Sequence, residues 1–106
     1  MGERTKDVQN HDLGATLHEL IGIIHERRTA NPEESYTARL LQGHEDSLYK
    51  KVAEEAVELI MAAKDNDHDH IRYEAADLLY HLFVMLERTG IGPEELGGEL
   101  KARMRP

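Results

Sequence analysis

KKVAEEAVELIMAAKDNDHDHIRYEAADLLYHLFVML, residues 50–86, decides the fold. It reads as two helices around a polar turn. From Glu45 to Lys64 a stripe of Leu48, Val52, Ala56, Leu59, Ile60 and Ala63 repeats at helical spacing, and DNDHDH, rich in turn formers, interrupts it. A second stripe, Ile71, Ala75, Leu78, Leu79, Leu82 and Leu86, predicts a helix from His70 to Arg88 ended by Thr89-Gly90. Upstream, Leu13, Leu17, Leu20, Ile21 and Ile24 predict a first helix closed by Thr29-Ala30-Asn31-Pro32. Between them, Ser35 and TARLLQ predict a short helix that Gly43 ends in the left-handed C′ manner. A last helix begins near Pro93, with Glu94 and Glu95 at the positive end of its dipole. No window alternates with period two. The expected class is all-α, four main helices and one short one.

Leu78, Leu79, Leu82, Phe83, Val84, Met85 and Leu86 cover nearly the whole circumference of the fourth helix, more than a small monomer can bury. The bundle is therefore expected to be completed by a second subunit, as a homodimer or higher homo-oligomer. Residues 1–12 lack periodicity and read as a flexible tail ahead of one domain over 13–106. Gly97 and Gly98 each cost a helix about 1 kcal/mol relative to alanine, so the last helix is expected to be the weakest.

With 106 residues the chain makes a single domain. A net charge of −8 argues against nucleic-acid binding, which relies on Lys and Arg against phosphates. Cysteine is absent, which excludes disulfides, zinc-thiolate sites and thiol nucleophiles. The longest apolar run, Leu82 to Leu86, is too short to span a bilayer, and the first residues lack a signal-peptide core. A soluble, cytoplasmic protein that does not engage membranes is expected.

Residues 50–58 crowd like charges. With Glu54 at zero and a turn of about 100° per residue, Glu58 lies at about 40°, Lys51 at about 60°, Glu55 at about 100° and Lys50 at about −40°. On the next helix Glu74 and Asp77 share a face, and an antiparallel pairing can gather all five carboxylates. A solvated acidic face, with Lys50 and Lys51 paired to Glu54 and Glu55, is the plain alternative. Against it stands the apolar neighbouring helix: carboxylates buried beside it must pair, protonate or hold a cation. Oxygen-only ligation without cysteine suits Mg²⁺ or Mn²⁺ rather than zinc. A di-iron bundle would need Glu-x-x-His motifs, and none of the glutamates has histidine three residues on.

EExxE (Glu54, Glu55, Glu58), fifteen intervening residues and ExxD (Glu74, Asp77) resemble the metal-binding signature of the all-α, MazG-like nucleoside triphosphate pyrophosphohydrolases. SYTARLL, KKVAEEAVELIMAAK and EAADLLYHLFVML, spread over roughly Leu13 to Met104, resemble in particular the phosphoribosyl-ATP pyrophosphohydrolases of histidine biosynthesis. Ala53 stands where that family often has glycine, and Gly97-Gly98 is also atypical.

The resemblance implies metal-dependent hydrolysis of phosphoribosyl-ATP between its α and β phosphates. It assigns Glu54, Glu55, Glu58 and Asp77 as metal ligands, with Glu74 as a ligand or a positioner of the attacking water. Lys50 and Lys51 would meet phosphate oxygens. Ser35, Tyr36 and Thr37 either contact the nucleotide or form a capped short helix with a packed tyrosine. His81 reads as a core histidine or as a residue orienting a carboxylate, and His68 and His70 as a polar turn. His11, His18 and His25 recur every seven residues without an acidic partner motif and receive no role. A nucleotide house-cleaning pyrophosphohydrolase of the same fold and a non-enzymatic helical dimer module are the competing readings.

Overall fold

The structure, a computed structural model, describes residues 7–105. Of the expected tail, residues 1–6 lie outside the described residues, and 7–12 form no regular element. Five α-helices follow: α1 Leu13–Glu26, α2 Tyr36–Gln42, α3 Glu45–Lys64, α4 His68–Thr89 and α5 Pro93–Arg103, with a 3₁₀ turn Arg27–Thr29 after α1. No strand occurs among the described residues.

The centre of the fold is the α3/α4 hairpin. Asn66 takes the left-handed conformation at φ 54°, and the Asp67 and Asn66 N–H groups bond back to Ala62 O and Ala63 O at 3.4 and 3.1 Å. This is a Schellman closure with asparagine in the usual glycine position. Asp67 then caps α4, its side chain accepting from the His70 N–H at 3.3 Å. The turn is accordingly only Asp65–Asp67, and α4 starts two residues earlier than the sequence predicts, taking in His68 and Asp69. At the far end Gly90 adopts φ 86°, and the Ile91 N–H reaches Leu86 O at 2.9 Å.

Gly43 is a correction. It ends α2 in an extended conformation, φ −83° and ψ −160°, so left-handed freedom is not why glycine stands there. The chain leaves α2 so tightly that a Cβ would lie 2.7 Å from Arg39 O. Three hydrogen bonds then fix α2 on its neighbours: Gln42 Nε2 donates to Arg28 O (3.1 Å) and Ala30 O (2.9 Å), and Arg88 donates to Leu40 O at 2.8 Å.

The core sits where α1, α2, α3 and α4 meet, around Ile24, Leu40, Leu48 and Val84, with Tyr49, Tyr80 and Phe83 packed against it. It occupies the first half of α3 and the last half of α4. On α4, Leu78, Leu79, Leu82, Phe83, Met85 and Leu86 are half-buried and Val84 fully buried, while Val57, Ile60 and Met61 form an exposed apolar stripe on α3. In α5 only Leu96 is even half-buried. Among the described residues, no helix is long and apolar enough to cross a membrane.

Candidate active site

Beyond the core, the same α3/α4 contact turns acidic. The antiparallel register that packs Leu48 with Val84 brings Glu55 to Asp77 and His81, and Glu58 to Glu74. On α4 the inward stripe is His70, Glu74, Asp77 and His81, at helical spacing. Glu74 is fully buried, and Glu55 and His81 are 7% and 4% exposed. Among the described residues, Glu55, Asp77 and His81 offer three ligand atoms within 4.8 Å of one another.

Two carboxylate oxygens here lack hydrogen-bond partners although buried, Glu55 Oε1 and Glu74 Oε1. Glu55 Oε1 does lie 2.5 Å from His81 Nδ1. That nitrogen is also 3.0 Å from the Asp77 carbonyl, and with its hydrogen directed there it leaves the Glu55 oxygen without a donor in line. In that tautomer His81 Nε2 accepts from the Tyr36 hydroxyl at 3.1 Å. Both ring nitrogens are thus engaged, and the groups free for a cation are carboxylate oxygens.

Electrostatics follow from this crowding. Burial, and then the neighbouring Asp77 charge, push Glu55 from its ordinary 4.5 to about 7, with Lys51 pulling the other way. Burial also raises Glu74, opposed by the bond from His70 Nε2 at 3.0 Å and reinforced by Glu58. His81 is lowered chiefly by burial, against the pull of Asp77. Tyr36 is raised by burial, by Glu55 and by Asp77. A buried acid cluster of this kind is strained without a cation, and its donor set of oxygens fits a hard divalent ion.

The sequence-predicted residues divide as follows. Glu55, Glu58, Glu74 and Asp77 come together; Glu54, Lys50 and Lys51 sit on the exposed side of α3. Ser35 Oγ is used as the cap of α2, accepting from the Ala38 N–H at 3.1 Å, and Thr37 Oγ1 bonds the Tyr80 hydroxyl. Tyr36 reaches the site through His81.

His81 and His70 are the residues sequence reasoning undervalued. His70 is not part of a polar turn but a helical partner of Glu74, and His81 sits in direct contact with Glu55. The signal was the spacing 70, 74, 77, 81, which puts both histidines on the face of the two acids.

The family model described as phosphoribosyl-ATP pyrophosphohydrolase matches residues 17–104. A phosphoribosyl-ATP pyrophosphatase of Nitrosomonas eutropha is 49% identical over 87 residues, spanning 82% of this chain and 74% of that protein. One from Rhizobium rhizogenes is 49% identical over 90 residues, spanning 85% of this chain and 86% of that protein. The histidine biosynthesis bifunctional protein HisIE of Thermus thermophilus is 43% identical over 95 residues, 90% of this chain but 44% of that protein.

Proposed function

The chain belongs to the phosphoribosyl-ATP pyrophosphohydrolase family, and on that premise we propose that it hydrolyses phosphoribosyl-ATP to phosphoribosyl-AMP and pyrophosphate, a cytoplasmic step of histidine biosynthesis. The observation that carries the mechanism is the pair of buried carboxylate oxygens, on Glu55 and Glu74, that no donor satisfies. Glu55, Glu58, Glu74 and Asp77 would hold the Mg²⁺ or Mn²⁺, with Glu54 joining from the exposed side, directly or through water. A divalent cation there would supply positive charge against the phosphates and Lewis acidity toward the attacking water.

The remaining roles belong to the chain itself. His81, clamped between the Asp77 carbonyl and the Tyr36 hydroxyl, fixes the position of Glu55. His70 does the same for Glu74. Lys51, whose charge already acts on Glu55, and Lys50 meet oxygens of the departing pyrophosphate as point charges.

The working unit in this proposal is a homodimer. Its support is the open protomer, with a radius of gyration of 14.9 Å against about 13 Å for a compact chain of this length, and the apolar stripe Val57, Ile60 and Met61. Sedimentation equilibrium giving a monomer at micromolar concentration would contradict it.

Phosphorus NMR of the products tests the reaction. Pyrophosphate plus a monophosphate is expected from phosphoribosyl-ATP, and none after chelation. Stepwise orthophosphate, or turnover of ordinary triphosphates with none of phosphoribosyl-ATP, would refute it.

A further inference from the structure

A cavity of about 270 Å³ lies along α4, lined by Val8, Asp69, Arg72, Tyr73, Ala76 and Asp77. Asp77 belongs both to this cavity and to the acid cluster. At about 100° per residue, Tyr73 and Ala76 occupy the α4 flank next to Asp77, turned away from the stripe that faces α3. A phosphate chain held over the carboxylates therefore has this cavity beside it.

The lining has a definite chemistry. Val8, Ala76 and the Tyr73 ring give apolar and aromatic walls. The polar groups besides Asp77 are Asp69 and Arg72, an ion pair at 3.3 Å. Because the pair offsets its own charge, the cavity offers no net positive field to a second phosphate. What it offers instead is a carboxylate acceptor, a guanidinium donor and a flat aromatic face, the usual equipment of a small-molecule pocket.

We propose that this cavity is a purine subsite, taking the base of a nucleotide whose phosphates lie over Glu55, Glu58, Glu74 and Asp77. Tyr73 stacks on the base, Asp69 accepts from its amino group and Arg72 donates to its ring edge. The inference rests on the phosphate-site reading given above and adds which part of the ligand is selected.

Ala76→Leu is the sharpest test. Ala76 is exposed on a helix, leucine is nearly as good a helix former, and its side chain fills the cavity without touching the core. Tyr73→Ala removes the stacking wall instead. Calorimetry with Mg²⁺ and α,β-methylene-ATP is compared with Mg²⁺ and inorganic tripolyphosphate, which has no base. Each variant is expected to weaken nucleotide binding about tenfold, in line with the value of base–aromatic stacking, and to leave tripolyphosphate binding unchanged. With phosphoribosyl-ATP, KM rises by a similar factor while kcat holds.

Unchanged nucleotide affinity in both variants overturns the subsite, as does tripolyphosphate affinity that falls in step with it. Failure of the wild type to hydrolyse phosphoribosyl-ATP would overturn the reaction alone, because the calorimetry reads base binding without turnover.

Discussion

Replacing Glu55 by glutamine should stabilise the metal-free protein at alkaline pH while removing its response to metal. Glu55 is 7% exposed, and its carboxyl is pushed from 4.5 to about 7 by burial and by Asp77. A raised folded-state value means that the native state binds this proton more tightly than the unfolded chain does. The associated stability is complete below about pH 4.5 and is lost as pH rises through about 7. A shift of this size corresponds to about 3 kcal/mol. Glutamine keeps the shape and never ionises, so in EDTA the variant and wild type should unfold alike near pH 4. At pH 8 the variant should be more stable by about 3 kcal/mol, roughly 10–20 °C in Tm for a domain of this size. Urea unfolding at matched protein concentration measures the gap. Adding Mg²⁺ should close nearly all of this gap, since a site occupied at 100 times its Kd gains about 2.7 kcal/mol that the variant forgoes. A Glu55→Gln protein that is less stable than wild type at pH 8 in EDTA, or a gap that does not change with pH, would refute the account of a strained acid cluster.

Three other substitutions probe separate links. Gly43→Ala should cost about 1–3 kcal/mol in urea unfolding, because its Cβ would meet Arg39 O at 2.7 Å; the Mg²⁺-induced rise in Tm should be unaltered. Tyr36→Phe deletes the bond to His81 Nε2 and should cost about 1 kcal/mol of stability. It should also lower kcat more than it raises KM, because it loosens the support of Glu55 rather than a substrate contact. Gly97→Ala with Gly98→Ala meets open space at both positions and should stabilise α5 by about 1 kcal/mol per site. The gain should show as slower amide exchange confined to residues 93–103, with global unfolding barely changed, since α5 is almost wholly exposed.

The hairpin was legible because its two stripes and its turn are each local signals: Leu48 to Ala63, Ile71 to Leu86, and DNDHDH between them. What local signals could not supply was which side of α3 goes inward at the acidic end. Glu54 and Glu55 are adjacent and chemically identical, and only the register that sets Leu48 on Val84 buries Glu55 and exposes Glu54. Gly43 misled for a related reason. Glycine marks either a left-handed residue or a close approach, and the approach of Arg39 O is a property of the folded turn. The two histidines were obscured for different reasons: His81, beside apolar residues, fits a core position as well as a carboxylate partner, and His70 ends DNDHDH, which reads as a turn. Their common face with Glu74 and Asp77 becomes decisive only once α3 is seen to cover it.

One contact surface between α3 and α4 therefore has two chemistries in series. Its first part, Leu48 against Val84 with Tyr49, Tyr80 and Phe83 around it, is apolar and contributes stability. Its second part, Glu55 and Glu58 against Glu74 and Asp77, is destabilising whenever the acids are ionised without a cation. Because both parts lie on the same two rigid helices, the apolar half fixes the register that holds the carboxylates together against their repulsion. A rearrangement that relieved the acids would have to slide Leu48 off Val84, at a cost of the order of 2–5 kcal/mol for each large apolar side chain uncovered. The helix pair thus remains preorganised, and protonation or metal binding, rather than movement of the backbone, is the way its charge is relieved.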